Sequence, residues 1–229
     1  MNCFIIVPVY NEGKVFQEWL PGLLKVAGEM GAKVVVVDDG SDPAIFNFQF
    51  SIFNEGIVLL RHEVNCGVGA AIATGMAYAK RNGAEKVLTI DGDGQHDPND
   101  LRELIRVLED GEVDVVNGSR FLKKQWIPWS RRVANFLGNI ITYLLSGFWV
   151  SDSQSGMKGF SKKALEKIEV RTAGYEWCTD IFREANWYDF QLQEVPISVL
   201  YNKYSLNKGQ NLAIGIDMVV RLAIRSLWR

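Results

Sequence analysis

The chain has 229 residues, 48% of them hydrophobic and 23% charged, enough for one α/β domain with a sizeable core and at most a small appendage. A formal net charge of −2 supplies no basic excess, so nucleic acid is not an expected partner. Cys3, Cys66 and Cys178 are scattered with no C-x-x-C pair, which argues against a disulfide frame or zinc cluster; the apolar run at 4–9 is too short for a signal peptide, so a cytoplasmic protein is expected.

In chain order, residues 3–9 are a short apolar, β-branched run, followed by an amphipathic stretch over 14–30. Residues 33–37, a lysine and four valines, lack alternation and read as a buried parallel strand. A third strand is expected over 57–61, then a glycine-rich turn and an alanine-rich helix over 69–82. Residues 86–90 read as a fourth strand, and 98–110 as a helix with Pro98 in its first turn. A fifth strand is expected over 113–117. Strands alternating with helices predict a mostly parallel sheet with short right-handed crossovers. In such sheets ligands sit beyond the carboxyl ends of the strands, so polar residues that matter should follow strands.

Three clusters obey that rule: Pro8-Val9-Tyr10-Asn11-Glu12, Asp38-Asp39-Gly40-Ser41-Asp42, and Asp91-Gly92-Asp93-Gly94-Gln95-His96-Asp97. Aspartates one residue apart on a loop can aim both carboxylates at one cation, and Gly92 and Gly94 let the backbone bend around it. Oxygen ligands of this kind suit magnesium or manganese, ions that share their shell with phosphates and neutralise a departing diphosphate. Taken singly, Asp-Gly loops are also ordinary turn sequences.

Together with Asn-Cys-Gly-Val-Gly-Ala-Ala at 65–71, these motifs resemble glycosyltransferase family 2, in the order and spacing of its polyprenyl-phosphate branch, the dolichyl-phosphate mannose synthase type. The resemblance runs over roughly residues 2–200. It implies the GT-A fold: a single Rossmann-like domain, residues 1–210, with a mostly parallel central sheet and helices on both faces. It also implies an inverting, metal-dependent transfer from a UDP- or GDP-sugar. By that resemblance Pro8, Tyr10 and Glu12 line the nucleotide pocket, Asp39 faces the base, and Asn65 and Gly67 lie close to the nucleotide. Asp91, Asp93 and Gln95 would hold Mg2+ or Mn2+ against the diphosphate. Gly67 and Gly69 read equally as a tight strand-to-helix turn.

The second half bears on the acceptor. Arg120 follows the fifth strand and Arg131 and Arg132 come about ten residues later; arginine forks grip phosphate oxygens. In the branch resembled, arginines here bind the acceptor phosphate, although its usual spacing is replaced by Trp129-Ser130-Arg131-Arg132. Residues 133–150 carry no charge, but Asn135, Asn139, Thr142 and Ser146 make one polar stripe down a helix. That pattern fits amphipathic packing, as a core helix or in a membrane interface, better than a single span. Asp152 follows, in a stretch similar to the family's sugar-proximal one. Asp180 lies one helical turn beyond Glu176. A hydroxyl acceptor would need a carboxylate base, for which Asp180 is the first candidate and Asp152 the second. A phosphate acceptor would need none.

Lys203 and Lys208 stand where the family has a mobile loop over the diphosphate. Residues 211–229 read as a C-terminal amphipathic helix, with Asp217, Arg221, Arg225 and Arg229 in one row and Trp228 near its end, suited to a lipid headgroup region. The expected activity is therefore hexose transfer to a polyprenyl phosphate at the inner membrane face, by a peripheral protein that has a membrane-protein partner or assembles with itself. The alternatives are transfer to a saccharide hydroxyl in cell-surface polysaccharide synthesis, or an inactive sugar-nucleotide-binding subunit.

Overall fold

The computed structural model describes residues 2–45 and 56–200; Lys203, Lys208 and the helix expected over 211–229 lie outside them. Strand β1 (Cys3–Val9) leads into α1 (Gly13–Glu29), β2 (Lys33–Asp38), β3 (Ile57–Arg61) and α2 (Val68–Arg81). Next come β4 (Lys86–Thr89), a 3-10 turn (Pro98–Asp100), α3 (Leu101–Glu109) and β5 (Val115–Ser119). The second half holds α4 (Trp129–Ser146), β6 (Lys158–Ser161), α5 (Lys162–Lys167), α6 (Trp177–Trp187) and β7 (Leu192–Pro196).

Among the described residues the seven strands join one sheet in the order β3-β2-β1-β4-β6-β5-β7. β1 pairs in parallel with β2 and β4, β2 with β3, and β5 with β7; only β6 runs antiparallel, between β4 and β5. The mostly parallel sheet expected from the alternation is present. β6 has no counterpart in the strands read from sequence, because Lys158-Gly159-Phe160-Ser161 is short and carries a lysine and a glycine. The fifth strand runs two residues later than expected, so Gly118 and Ser119 belong to it and Arg120 leaves its end.

Every residue of β1 is buried, and alternate side chains feed two cores. Ile5, Val7 and Val9 pack with Phe16, Leu20 and Leu23 of α1 and Leu101 and Leu104 of α3. Phe4 and Ile6 pack on the opposite face with Ala71, Ile72 and Met76 of α2 and Trp177 and Ile181 of α6. Each such side chain contributes about 1.5–3 kcal/mol when removed from water. Gly75 lets α2 lie directly on Ile6, since a Cβ there would run into that side chain.

α4 is turned inside out relative to an ordinary surface helix. Its buried residues are Asn135, Gly138, Asn139, Thr142 and Ser146, the uncharged polar stripe. Asn135 and Asn139 donate through Nδ2 to the Ser151 carbonyl (2.8 and 2.9 Å), and Asn139 Oδ1 accepts from the Ser153 amide. Thr142 meets Thr179 of α6 at 3.1 Å. The stripe therefore satisfies the backbone of the 151–153 loop. Outward, Trp129, Phe136, Leu137, Tyr143 and Leu144 stay exposed. No helix among the described residues is long and apolar enough to cross a membrane.

At the start of α2, Gly67 has φ +95°, and a Cβ on Gly69 would overlap the Thr172 carbonyl oxygen. The Gly69 amide donates to Ala173 O (2.7 Å). These two glycines thus admit the 172–174 loop against the helix end. Gly69→Ala is expected to destabilise the fold by about 2–3 kcal/mol, read from the urea midpoint; an unchanged midpoint would show that the 172–174 loop moves aside freely.

Candidate active site

The carboxyl ends of β1, β2, β3 and β4 lie on one edge of the sheet, and the loops that leave them are laced together. After β1, Asn11 donates its amide to Ser41 Oγ (2.9 Å) and accepts from the Asp42 amide at Oδ1 (2.8 Å). Asn11 sits at φ +54° to do so, a conformation asparagine tolerates. This stitches the Pro8–Glu12 segment, with Tyr10 exposed and Glu12 at the start of α1, to the loop after β2. After β2, fully buried Asp38 accepts from the Ser41 amide (2.9 Å) and the Ile45 amide (3.3 Å).

Asp39, also buried, turns toward the loop after β3. Its Oδ1 accepts from the Cys66 amide (2.9 Å) and faces His62 Nδ1 at 2.7 Å; its Oδ2 accepts from the Gly67 amide (2.8 Å). Gly40 (φ +76°) lies against Val64 and Asn65, with room for no side chain. The structure thereby brings Asp39, Asn65 and Gly67 together. Ligand atoms of Asp39, His62 and Cys66 lie within 4.8 Å of one another, but each is already engaged: Cys66 Sγ points to Val64 O, and His62 Nε2 meets Thr74 Oγ1 at 2.9 Å. The group is a hydrogen-bond relay. His62 directly follows a strand, so the rule that singled out the acidic clusters covers it too.

The 91–96 loop lies against the end of β1, with Gly92 packed on Val9 and the Pro8 carbonyl, and the Asp91 carboxylate rests on Gly156, where any Cβ would overlap it. Asp93 stands beside it; burial and the neighbouring Asp91 charge raise its carboxyl above the usual aspartate range. Gln95 donates to Asp93 through its amide nitrogen and its own amide to Asp93 Oδ1 (3.0 Å), while its Oε1 accepts from Arg131 Nη1 at 3.2 Å. Behind them, buried His96 places Nε2 3.7 Å from Asp91 Oδ2, and its Nδ1 has no hydrogen-bond partner among the described residues. Two adjoining carboxylates form a hard-oxygen pair whose mutual repulsion a divalent cation would relieve, so Asp91 and Asp93 fit Mg2+ or Mn2+, while Gln95 turns its nitrogen to Asp93 and its oxygen to Arg131.

Four other sequence candidates find partners within the protein. Arg120 grips fully buried Asp152 through Nε (2.6 Å), Nη2 (2.7 Å) and its backbone amide (3.0 Å). Asp180 is buried and paired with Arg183 at 2.8 Å. Arg132 is exposed and donates to the Ile127 carbonyl. A network absent from the sequence reading supports the Arg120–Asp152 pair. Asn117 donates to Asp152 O and Glu194 Oε1 (both 3.0 Å) and accepts from Lys158 Nζ (2.7 Å). Lys158 is entirely buried, its ammonium 4.6 Å from the Phe182 ring, and burial lowers its pKa. A lysine inside a Met-Lys-Gly-Phe stretch carries no local signal that it will be buried.

Comparison with known proteins follows the same lines. The family description "Glycosyl transferase family 2" matches residues 4–169. The chain is 32% identical to the UDP-N-acetylglucosamine–dolichyl-phosphate N-acetylglucosaminyltransferase of Methanococcus voltae, covering 96% of this chain and 94% of the relative. It is 28% identical to the polyprenol monophosphomannose synthase of Mycolicibacterium smegmatis, covering 96% and 86%. Among solved structures it resembles glucosyl-3-phosphoglycerate synthase from Mycobacterium tuberculosis, crystallised with Mn2+, UDP and phosphoglyceric acid. The TM-score is 0.70 at 15% identity, over 98% of this chain and 78% of that one, which establishes a shared fold.

The raised Asp93 carboxyl has a consequence for stability. Without a cation the folded state holds this proton more tightly than the unfolded chain does. The associated stability is complete below the ordinary aspartate range and is lost as pH rises through the raised value. Saturating Mn2+ should therefore raise the thermal unfolding midpoint more at about pH 7.5 than at about pH 5. Asp93→Asn should stabilise the metal-free protein at the higher pH and abolish the Mn2+ effect. Equal Mn2+ effects at both pH values would rule out Asp93 as a ligand.

Proposed function

The chain belongs to glycosyltransferase family 2 and is a glycosyltransferase of GT-A fold, and on that premise we propose that it moves a hexose from a UDP- or GDP-sugar to a polyprenyl phosphate at a membrane surface. One observation carries the acceptor assignment: Arg131, in the first turn of α4, reaches Gln95 Oε1. The same helix thus touches the loop that would hold the diphosphate and presents an exposed apolar face to its surroundings. The two relatives described above are named for dolichyl phosphate and for polyprenol monophosphate, which supports the same acceptor class.

In this reading Asp91, Asp93 and Gln95 hold Mg2+ or Mn2+, which when bound neutralises charge on the departing diphosphate. Pro8, Tyr10, Glu12, Asn65 and Gly67 shape the nucleotide pocket around Asp39. Arg131 and Arg132 draw the acceptor phosphate to the start of α4. A phosphate oxygen is anionic at neutral pH and serves as its own nucleophile. It forms a bond to the anomeric carbon on the face opposite the diphosphate, the old carbon–oxygen bond breaks, and the configuration inverts. No proton need be removed, in keeping with the internal pairing of Asp152 and Asp180 with arginines. Arg120 in this scheme positions Asp152 and the 151–153 loop rather than the acceptor. The chain reaches position 200 beside the metal-holding loop, where Leu200 N donates to Gln95 O (2.8 Å). Lys203 and Lys208, outside the described residues, are the candidates to meet the diphosphate in this reading.

The membrane component follows from α4. Apolar side chains left exposed among the described residues gain from a lipid interface, and tryptophans favour its headgroup level. Trp126, Trp129 and Trp149 are all exposed on or beside this helix.

The decisive assay is release of nucleoside diphosphate from UDP- and GDP-sugars, with and without Mn2+ and with and without a short polyprenyl phosphate in detergent. Release is expected to require both, and Arg131→Ala to lose 100-fold or more of lipid-stimulated release, on the order expected for a phosphate-positioning arginine. Stimulation by a saccharide instead of the lipid phosphate would transfer the assignment to hydroxyl glycosylation, with Asp180 as the base to test.

On anionic vesicles the protein is expected to co-sediment, and Trp129→Ser/Leu137→Ser/Leu144→Ser to stay in the supernatant while retaining basal donor hydrolysis. Co-sedimentation unchanged by the triple substitution would place the membrane contact elsewhere.

A further inference from the structure

We infer that His62 makes this enzyme selective for uridine over guanosine nucleotides, by leaving Asp39 a single acceptor site for the base. The inference deepens the reading above and rests on Asp39 facing the base. It starts from what an ionised carboxylate can accept: two lone pairs on each oxygen, four in all. In Asp39 three are already taken. Oδ1 accepts from the Cys66 amide and lies 2.7 Å from His62 Nδ1, and Oδ2 accepts from the Gly67 amide.

In the chain Thr74–His62–Asp39, the carboxylate fixes the direction of the proton at its end. A carboxylate only accepts, so His62 Nδ1 carries the proton and donates. Nε2, at the other end of the ring, meets the Thr74 hydroxyl 2.9 Å away. The imidazole plane is held at both ends, between the close of β3 and the side of α2, and its backbone amide donates to Asp38 O (2.9 Å). Asp39 therefore cannot rotate to free its Oδ1 without breaking contacts to His62 and Cys66 together.

One open lone pair on Oδ2 matches one ring N–H. Uracil offers such an edge: a single N3–H donor flanked by two carbonyl acceptors. Guanine offers two parallel donors, N1–H and the 2-amino group, which a carboxylate satisfies by using both oxygens side by side. With Oδ1 occupied, that second bond is unavailable, and a guanine donor entering a buried pocket is left without a partner. His62 is a positioning residue in this scheme. It touches the carboxylate that touches the base.

Isothermal titration of UDP and GDP in the presence of Mn2+ tests this directly. The wild-type protein should bind UDP about tenfold or more tighter than GDP. His62→Ala frees the Oδ1 lone pair and should shrink the UDP-to-GDP preference by about fivefold or more. His62→Asn, whose amide nitrogen stands where Nδ1 stood, should restore the preference to within about twofold of wild type. A purely structural role for His62 would weaken both nucleotides equally and leave the ratio unchanged, which overturns the inference; so does equal or tighter binding of GDP by the wild-type protein, a comparison that needs no variant to fold. Asp39→Asn separates the two levels of the argument. If it weakens nucleotide binding while His62→Ala leaves the ratio intact, Asp39 reads the base and His62 does not set the choice. If Asp39→Asn changes neither affinity, Asp39 does not face the base and both readings fall.

Discussion

Burial of β1 on both faces is the constraint from which the rest of this protein follows. A strand whose seven residues are all inaccessible, flanked by parallel partners on each side, can present chemistry only beyond its carboxyl end. The order β3-β2-β1-β4 places four such ends side by side. Each loop leaving them must satisfy its own polar backbone away from regular structure. Here they do so largely by bonding to one another: Asn11 to the loop of Ser41, Asp39 to the loop of Cys66 and Gly67, and Gly92 packed on the end of β1. Loops preorganised in this way lose little entropy when a ligand arrives.

Charges on this edge fall into two kinds. Arg120 with Asp152, and Arg183 with Asp180, are matched within the protein at short range. Lys158 is buried beneath them on Asn117 and two aromatic rings. Breaking such a pair by removing one member leaves an uncompensated buried charge, so these groups hold the framework. Asp91 and Asp93 are of the second kind: adjacent carboxylates whose repulsion Gln95 and His96 only partly relieve. An arrangement of that type is stabilised by a cation from outside. The contrast separates residues that build the site from those that await a ligand.

The inverted helix α4 joins this edge to the surroundings. Its asparagines cap the 151–153 loop that carries Asp152, so its polar face is dictated from within. Its aromatic and leucine side chains are consequently turned out. A helix with this distribution turns polar side chains inward and apolar ones outward, the reverse of an ordinary surface helix. The edge that carries the acidic loops and the apolar face thus meet at Trp129-Ser130-Arg131, within one helical turn.

Sequence alone determined the parallel half of the sheet and the acidic loops at its edge. Valine runs and alternating helices are local signals of burial, and Asp38-Asp39 and Asp91-x-Asp93 follow strands directly, so the resemblance to glycosyltransferase family 2 could be seen in the chain itself. Tertiary structure decided what short motifs cannot encode. β6 pairs antiparallel through a lysine-containing segment with weak strand propensity. Arg120 closes on Asp152 across 32 residues and His62 on Asp39 across 23, partners that only the sheet order brings together. The polar stripe of α4 was visible as a period, but a period gives two faces and no direction. Which face turns inward depends on what waits there, and here it is the unsatisfied backbone of a loop that lies beyond the end of the helix in sequence.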